Sequence, residues 1–163
     1  MYRTYTNSIF INLPPQQVYE LLTDPTHIRG WMYTLVHWEW DGDVESGSTF
    51  RFSVDNDRFH GGSSAKIMST GKVLIASPGI EFSYTAESDH SSSTSRYVMT
   101  RERDGSRLTH ELTITPKHWL LKAIMTYLNF TVASTPRILL HKLKEYAEAD
   151  PEARLAIAKR TQI

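Results

Sequence analysis

The chain has 163 residues, no cysteine, and 18 basic against 18 acidic side chains, so it is formally neutral before its 7 histidines are counted. That length suits one domain whose core needs neither disulfides nor metal, and the balanced charge supplies no long-range field to recruit nucleic acid or anionic lipid. Thiol catalysis and thiolate metal sites are excluded, no apolar run of about eighteen residues offers stable membrane insertion, and the opening Met1-Tyr2-Arg3-Thr4-Tyr5 has no secretory character, so the cytoplasm is the expected location.

Residues 2–13 are rich in β-branched and aromatic side chains with Ile9, Ile11 and Leu13 alternating, which predicts a first strand. Pro14-Pro15 ends it and presets a helix on which Val18, Leu21 and Leu22 form a narrow apolar stripe. Asp24 is placed to cap a second short helix, with Pro25 at its first position and Ile28, Trp31 and Met32 as its apolar residues. From 35 to 115 the pattern predicts a meander of about six antiparallel strands. Val36, Trp38 and Trp40 share a face of its first strand, and Phe50, Phe52 and Val54 a face of the next, with turns at Asp41-Gly42 and Ser46-Gly47-Ser48. Residues 55–64 read as a loop, and the segment 65–76 precedes the turn Ser77-Pro78-Gly79. Beyond it Ile80, Phe82 and Tyr84 alternate with polar residues. After a turn at Ser88 to Ser92 come Tyr97 and Met99 on one face, a hairpin signal at Asp104-Gly105, and an inward series Leu108, His110, Leu112 and Ile114. After Pro116 the period is helical to about residue 149, with a kink or break expected at Pro136. The first half of this element is apolar around most of its circumference, whereas Leu139, Leu143, Tyr146 and Ala147 share one face of the second. The expected single domain is 1–150, followed by a tail, 151–163, with the makings of a short helix.

The order strand, two short helices, meander and long helix is accompanied by a set of local markers. They are Ile11-Asn12-Leu13-Pro14-Pro15-Gln16-Gln17-Val18, Thr23-Asp24-Pro25 with Trp31, Ser46-Gly47-Ser48-Thr49-Phe50, Ala76-Ser77-Pro78 before Phe82-Ser83-Tyr84, Gly105-Ser106-Arg107-Leu108-Thr109-His110-Glu111, and Leu143-Lys144-Glu145-Tyr146-Ala147-Glu148. In this order they resemble the START-like (Bet v 1-like) superfamily SRPBCC, in particular its polyketide cyclase/dehydrase and lipid-transport group, over roughly residues 3–148. The resemblance implies an α+β helix-grip fold, β-α-α-β6-α. In it a curved antiparallel sheet of about seven strands wraps the C-terminal helix around an internal apolar cavity used to bind ligands.

On that expectation the cavity would be lined by Trp31 from the second short helix, by Trp38, Phe52, Phe82, Tyr84, Tyr97, Met99, His110 and Leu112 from the sheet, and by Leu120, Ile124, Tyr127, Leu128 and Thr131 from the long helix. For any one aromatic among them plain core is the more frequent role, and it is their convergence that argues for a cavity. His110 interrupts an apolar inward series, where a neutral imidazole can orient a ligand or act as a base, with Tyr84 and Tyr97 as further candidates for proton transfer; a structural histidine bonded to a neighbour is the plainer alternative. A register slip of one residue would turn Glu111 inward instead. Arg96 and Arg101 read first as solvated surface charge. The histidines at 27, 37, 60, 90, 110, 118 and 141 form no HxH or HExxH pattern, so neither metal nor cofactor is expected, and no GxSxG turn supports a hydrolase. The leading expectation is a carrier or sensor of a hydrophobic small molecule or lipid. The alternatives are a cyclase or dehydratase in the same cavity, and an interaction module of the Hsp90-activator type, with a homodimer as one form of that surface use.

Overall fold

In the computed structural model, which describes residues 2–55, 66–119, 122–123 and 129–160 (the side chains of 129–133 and 158–160 excepted), β1 (Arg3–Ile11) leads into α1 (Pro15–Thr23) and α2 (Pro25–Trp31). There follow β2 (Leu35–Trp40), β3 (Thr49–Asp55), β4 (Lys66–Ser77), β5 (Glu81–Glu87), β6 (Ser91–Glu102) and β7 (Gly105–Pro116), then α3 (Asn129–Glu148) and α4 (Pro151–Arg160). All seven strands form one curved antiparallel sheet in the order β1-β7-β6-β5-β4-β3-β2: the meander runs in sequence order, and β1 returns to pair with β7. This is the expected helix-grip α+β arrangement.

Local chemistry explains the helix starts. Pro14 and Pro15 set an extended residue followed by a preformed helical φ, and Asp24 accepts a hydrogen bond from the Thr26 N–H at 2.8 Å, capping α2 with Pro25 where no donor is lost. The stripe Val18, Leu21 and Leu22 is buried against the concave face, joined by Tyr19, which meets Phe82 edge-on. On α3, Leu140, Leu143, Tyr146 and Ala147 are buried and Leu139 half-buried, while the helix continues through a buried Pro136 without interruption. A fully buried leucine such as Leu143 contributes about 2 kcal/mol by leaving water. Among the described residues no helix is long and apolar enough to cross a membrane.

Several sequence expectations need correcting. A bulge between Leu35 and His37 turns Leu35 inward beside Trp38 and leaves Val36 42% exposed, because two residues of β2 oppose one of β3 and the alternation resets. Ile80 lies in the turn before β5 and is 63% exposed. The last hairpin turns at Arg103-Asp104, with Arg103 in the left-handed region (φ 54°), and Gly105 already belongs to β7. Any Cβ at Gly105 would overlap the Ile11 carbonyl oxygen, so the glycine serves the close approach of β1 and the turn falls one residue earlier. Of the loop expected over 55–64 only Asp55 is described, and it ends β3; the apolar segment Leu120, Leu121, Ile124, Met125, Tyr127 and Leu128 lies outside the described residues.

Candidate functional site

Strand register gathers the polar residues of the concave face. Phe82 on β5, Tyr97 on β6 and His110 on β7 stand in one row, continued by Asn7 on β1, and Tyr84, Ser95 and Leu112 stand in the next. The His110 ring stacks on Tyr97 with centroids 4.2 Å apart and planes 3° from parallel. Its Nε2 lies 3.5 Å from Ser95 Oγ, and the Tyr84 hydroxyl interacts with both Ser95 and Tyr97. The result is a continuous polar thread, His110–Ser95–Tyr84–Tyr97, with Asn7 and Ser93 as further polar neighbours on the same face.

Burial dominates its electrostatics. His110 is 3% exposed, and desolvation lowers its pKa to about 4, so the ring is neutral at pH 7. Burial likewise raises the Tyr84 phenol, opposed by hydrogen bonds from Ser95 and Tyr97, and pushes Tyr97 well above the ordinary tyrosine value, reinforced by the neighbouring Tyr84 oxygen. Three buried side-chain nitrogens, His110 Nδ1 and Trp38 Nε1 on the sheet and Arg29 Nε on α2, have no hydrogen-bond partner among the described residues.

The remaining candidates divide by position. Trp31, Trp38, Phe82, Tyr84 and Tyr97 close with Leu22, Ile28 and Met32 around a space of about 10 Å³, at the lower limit of what one water needs. Trp31 donates its indole N–H to the Leu21 carbonyl at 2.8 Å and Trp40 to the Thr23 carbonyl at 3.0 Å, satisfying acceptors that the end of α1 leaves open. Trp38 lies across the rings of Phe50 and Phe52, with centroids at 4.6 and 5.2 Å, and Met99 is buried opposite Leu108. Towards the other end of the concave face Phe52, Leu112 and Ile114 are only half-buried. Leu120, Ile124, Tyr127 and Leu128 lie outside the described residues, as does the side chain of Thr131, whose backbone belongs to α3.

Arg96 makes a bidentate pair with Glu81 (2.9 and 2.9 Å) on the outer face, and its cross-strand neighbour Glu111 faces outward with it, so the register that presents His110 to the interior holds. Ser95 is the participant that sequence reasoning missed. Its signal was the alternation Ser93, Ser95, Tyr97, Met99, hidden in a serine-rich run that begins as a turn. Among the described residues no three His, Asp or Glu side chains gather to hold a metal. A surface cleft of about 560 Å³ between β1, the β6–β7 turn and the end of α3 is larger, but its polar groups serve as a joint. Lys144 Nζ donates to the Phe10 carbonyl at 2.6 Å and pairs with Glu148 at 3.1 Å. Glu148 in turn accepts from the Asn12 N–H at 3.0 Å, while Arg154 closes the carbonyls of Ala147 and Ala149.

The family model described as polyketide cyclase / dehydrase and lipid transport matches residues 2–148. The chain belongs to this family, within the SRPBCC superfamily. Among solved structures, TTHA0849 from Thermus thermophilus is similar with a TM-score of 0.70 at 16% identity, covering 89% of this chain and 97% of that one. Ara h 8.0201 gives 0.65 at 8% identity, covering 92% and 100%. DynU16, a protein from the dynemicin biosynthetic locus, gives 0.63 at 14% identity, covering 90% of this chain and 47% of that one. At these identities the likeness is one of fold. A search of curated proteins found no match by sequence.

Proposed function

We propose that this family member binds a hydrophobic small molecule or lipid against the concave face of its sheet, as a carrier or sensor. The observation that supports it is the pair of buried unpartnered polar atoms, His110 Nδ1 and Trp38 Nε1, on a wall whose neighbouring apolar residues Phe52, Leu112 and Ile114 stay half-buried. Folding normally removes both kinds of cost, and a bound ligand would relieve them together. The contacts we assign are Phe52, Tyr84, Tyr97, His110 and Leu112.

The same electrostatics weigh against the cyclase or dehydratase reading. A general base works best with a pKa near the working pH, whereas His110 at about 4 is a weak base and the two phenols are held above their ordinary range. Native mass spectrometry of gently purified protein, with extraction of any co-purified molecule and a denatured control, tests the proposal. A stoichiometric apolar passenger is the expected result; bare protein that also fails to bind a fluorescent apolar probe would overturn it.

A further inference from the structure

Three large apolar side chains stand in water at one end of the sheet: Trp119 is 78% exposed, Tyr2 71% and Met68 62%. Strand register brings them to the same rim. Tyr2 precedes Arg3, which pairs with Ile114 near the end of β7, and Trp119 follows the last residue of β7 by three. Met68 is the next outward residue of β4 beyond Thr70, which shares a row with Glu87, Ser92 and Thr115. The inward-facing Phe52, Leu112 and Ile114 are half-buried at this same end. Trp119 is carried on a pinned corner. The Lys117 N–H donates to the His90 carbonyl at 2.9 Å and its Nζ to the Ser88 carbonyl at 2.6 Å, and the Lys122 N–H donates to the His118 carbonyl at 3.1 Å.

A single exposed apolar residue is ordinary, but Trp and Tyr with polar tips beside lysines have the composition of an interfacial anchor. Charge fits a phosphate-bearing surface. Lys117, His118 and Lys122 flank Trp119 in a stretch without an acid, and Lys66 begins β4 at the same end. The rim carboxylates are Asp55, Glu87 and Asp89, of which Glu87 is held by Lys117 at 2.8 Å. Positive charge is therefore gathered around Trp119 on a rim that is close to neutral as a whole, so attachment must come first from the apolar side chains and second from anionic headgroups. The spread of those side chains favours lipid over protein. From β1 to β4 they cover four strand spacings, about 19 Å, with polar groups between, whereas a protein partner needs one contiguous apolar patch. A fluid bilayer interface receives each side chain separately.

We propose that this rim docks the protein on the surface of a phospholipid bilayer, with Trp119, Tyr2 and Met68 entering the interface and Lys117 and Lys122 meeting the phosphates. Docking goes beyond the ligand reading and does not depend on it: vesicle binding by a protein without a passenger keeps the one and sinks the other. The full chain is mixed with vesicles of phosphatidylcholine, alone or with about one-fifth phosphatidylserine, and followed by co-sedimentation and by fluorescence quenching with bromine-labelled phosphatidylcholine. Binding to both is expected, severalfold tighter with the serine lipid. Trp119→Ala should weaken it roughly tenfold, the worth of one large side chain leaving water. Trp119→Phe should abolish the quenching, because the other three indoles are buried or half-buried. Ile80→Ser and Leu155→Ser, exposed apolar positions in the β4–β5 turn and on α4, should bind as the unaltered protein does. Failure of the unaltered protein to bind either vesicle overturns the proposal without any variant. So does an equal loss in Ile80→Ser and Trp119→Ala, or binding that needs phosphatidylserine and ignores Trp119→Ala. A dimer in sedimentation velocity that Trp119→Ala dissociates also overturns it, by showing that a second copy covers the rim.

Discussion

Replacing His110 with Gln should flatten the acid side of the protein's stability curve. The imidazole is 3% exposed and its pKa in the fold is about 4, against an ordinary value of 6.5, with burial as the cause. Because the folded value is depressed, the neutral ring favours the fold: its contribution is fully present above pH 6.5 and is lost as pH falls from there towards 4, where the unfolded chain takes up a proton that the folded one refuses. Between pH 7.5 and 4.5 this linkage amounts to about 2.5 kcal/mol, since each tenfold difference in proton affinity between the two states is worth about 1.4 kcal/mol. The groups nearest the ring do not titrate in this window, since Tyr97 and Tyr84 are raised phenols and Ser95 and the β1 neighbour Asn7 are uncharged. Carboxylates elsewhere contribute equally to both proteins and cancel in the difference. Urea denaturation at the two pH values would therefore show a wild-type midpoint falling by on the order of 1–2 M more than that of His110→Gln. Equal falls in the two proteins would mean that the ring is hydrated or protonated in the fold.

Other substitutions test the packing and the backbone. A Cβ on Gly30 would press into the ring of Tyr146, which is tethered by a hydrogen bond between its hydroxyl and His27 at 2.9 Å; Gly30→Ala should cost about 1–2 kcal/mol by thermal denaturation and become stabilising in a Tyr146→Leu background. Ser106 is fully buried and donates to the Leu13 carbonyl at 2.6 Å, so Ser106→Ala should lose about 1–2 kcal/mol in the same assay, and no loss would contradict the bond. Arg103→Gly, relieving a left-handed φ of 54°, should gain about 0.5–1 kcal/mol; a lower melting temperature would show that the arginine side chain outweighs its backbone strain.

Periodicity and proline placement were enough to recover the element order, because they act within a few residues: Pro15 and Pro25 start helices wherever the rest of the chain goes, and Leu108, His110 and Leu112 alternate on any strand. What they could not supply was anything decided by a neighbour across the sheet. The bulge that exposes Val36 depends on how β2 meets β3, and Gly105 is consumed by the approach of Ile11 rather than by the turn that Asp104-Gly105 suggests. The site divides along the same line. His110, Tyr84 and Tyr97 were visible as inward-facing polar residues, but the 4.2 Å stack and the link through Ser95 follow from the register of β5, β6 and β7. Trp38's unpartnered indole could not be told in advance from those of Trp31 and Trp40, which end on carbonyls of α1.

Those two indoles limit how this scaffold can be re-engineered. Trp31 lines the closed end of the interior, Trp40 packs on Trp38, Phe50 and Phe82, and both at the same time latch the final turn of α1, so carving room there for a larger guest would release the helix that seals it. Ser93, Ser95 and Leu112 carry no such second duty towards a helix end. New specificities are therefore easiest to select along β6 and β7, with the tryptophan latch left untouched.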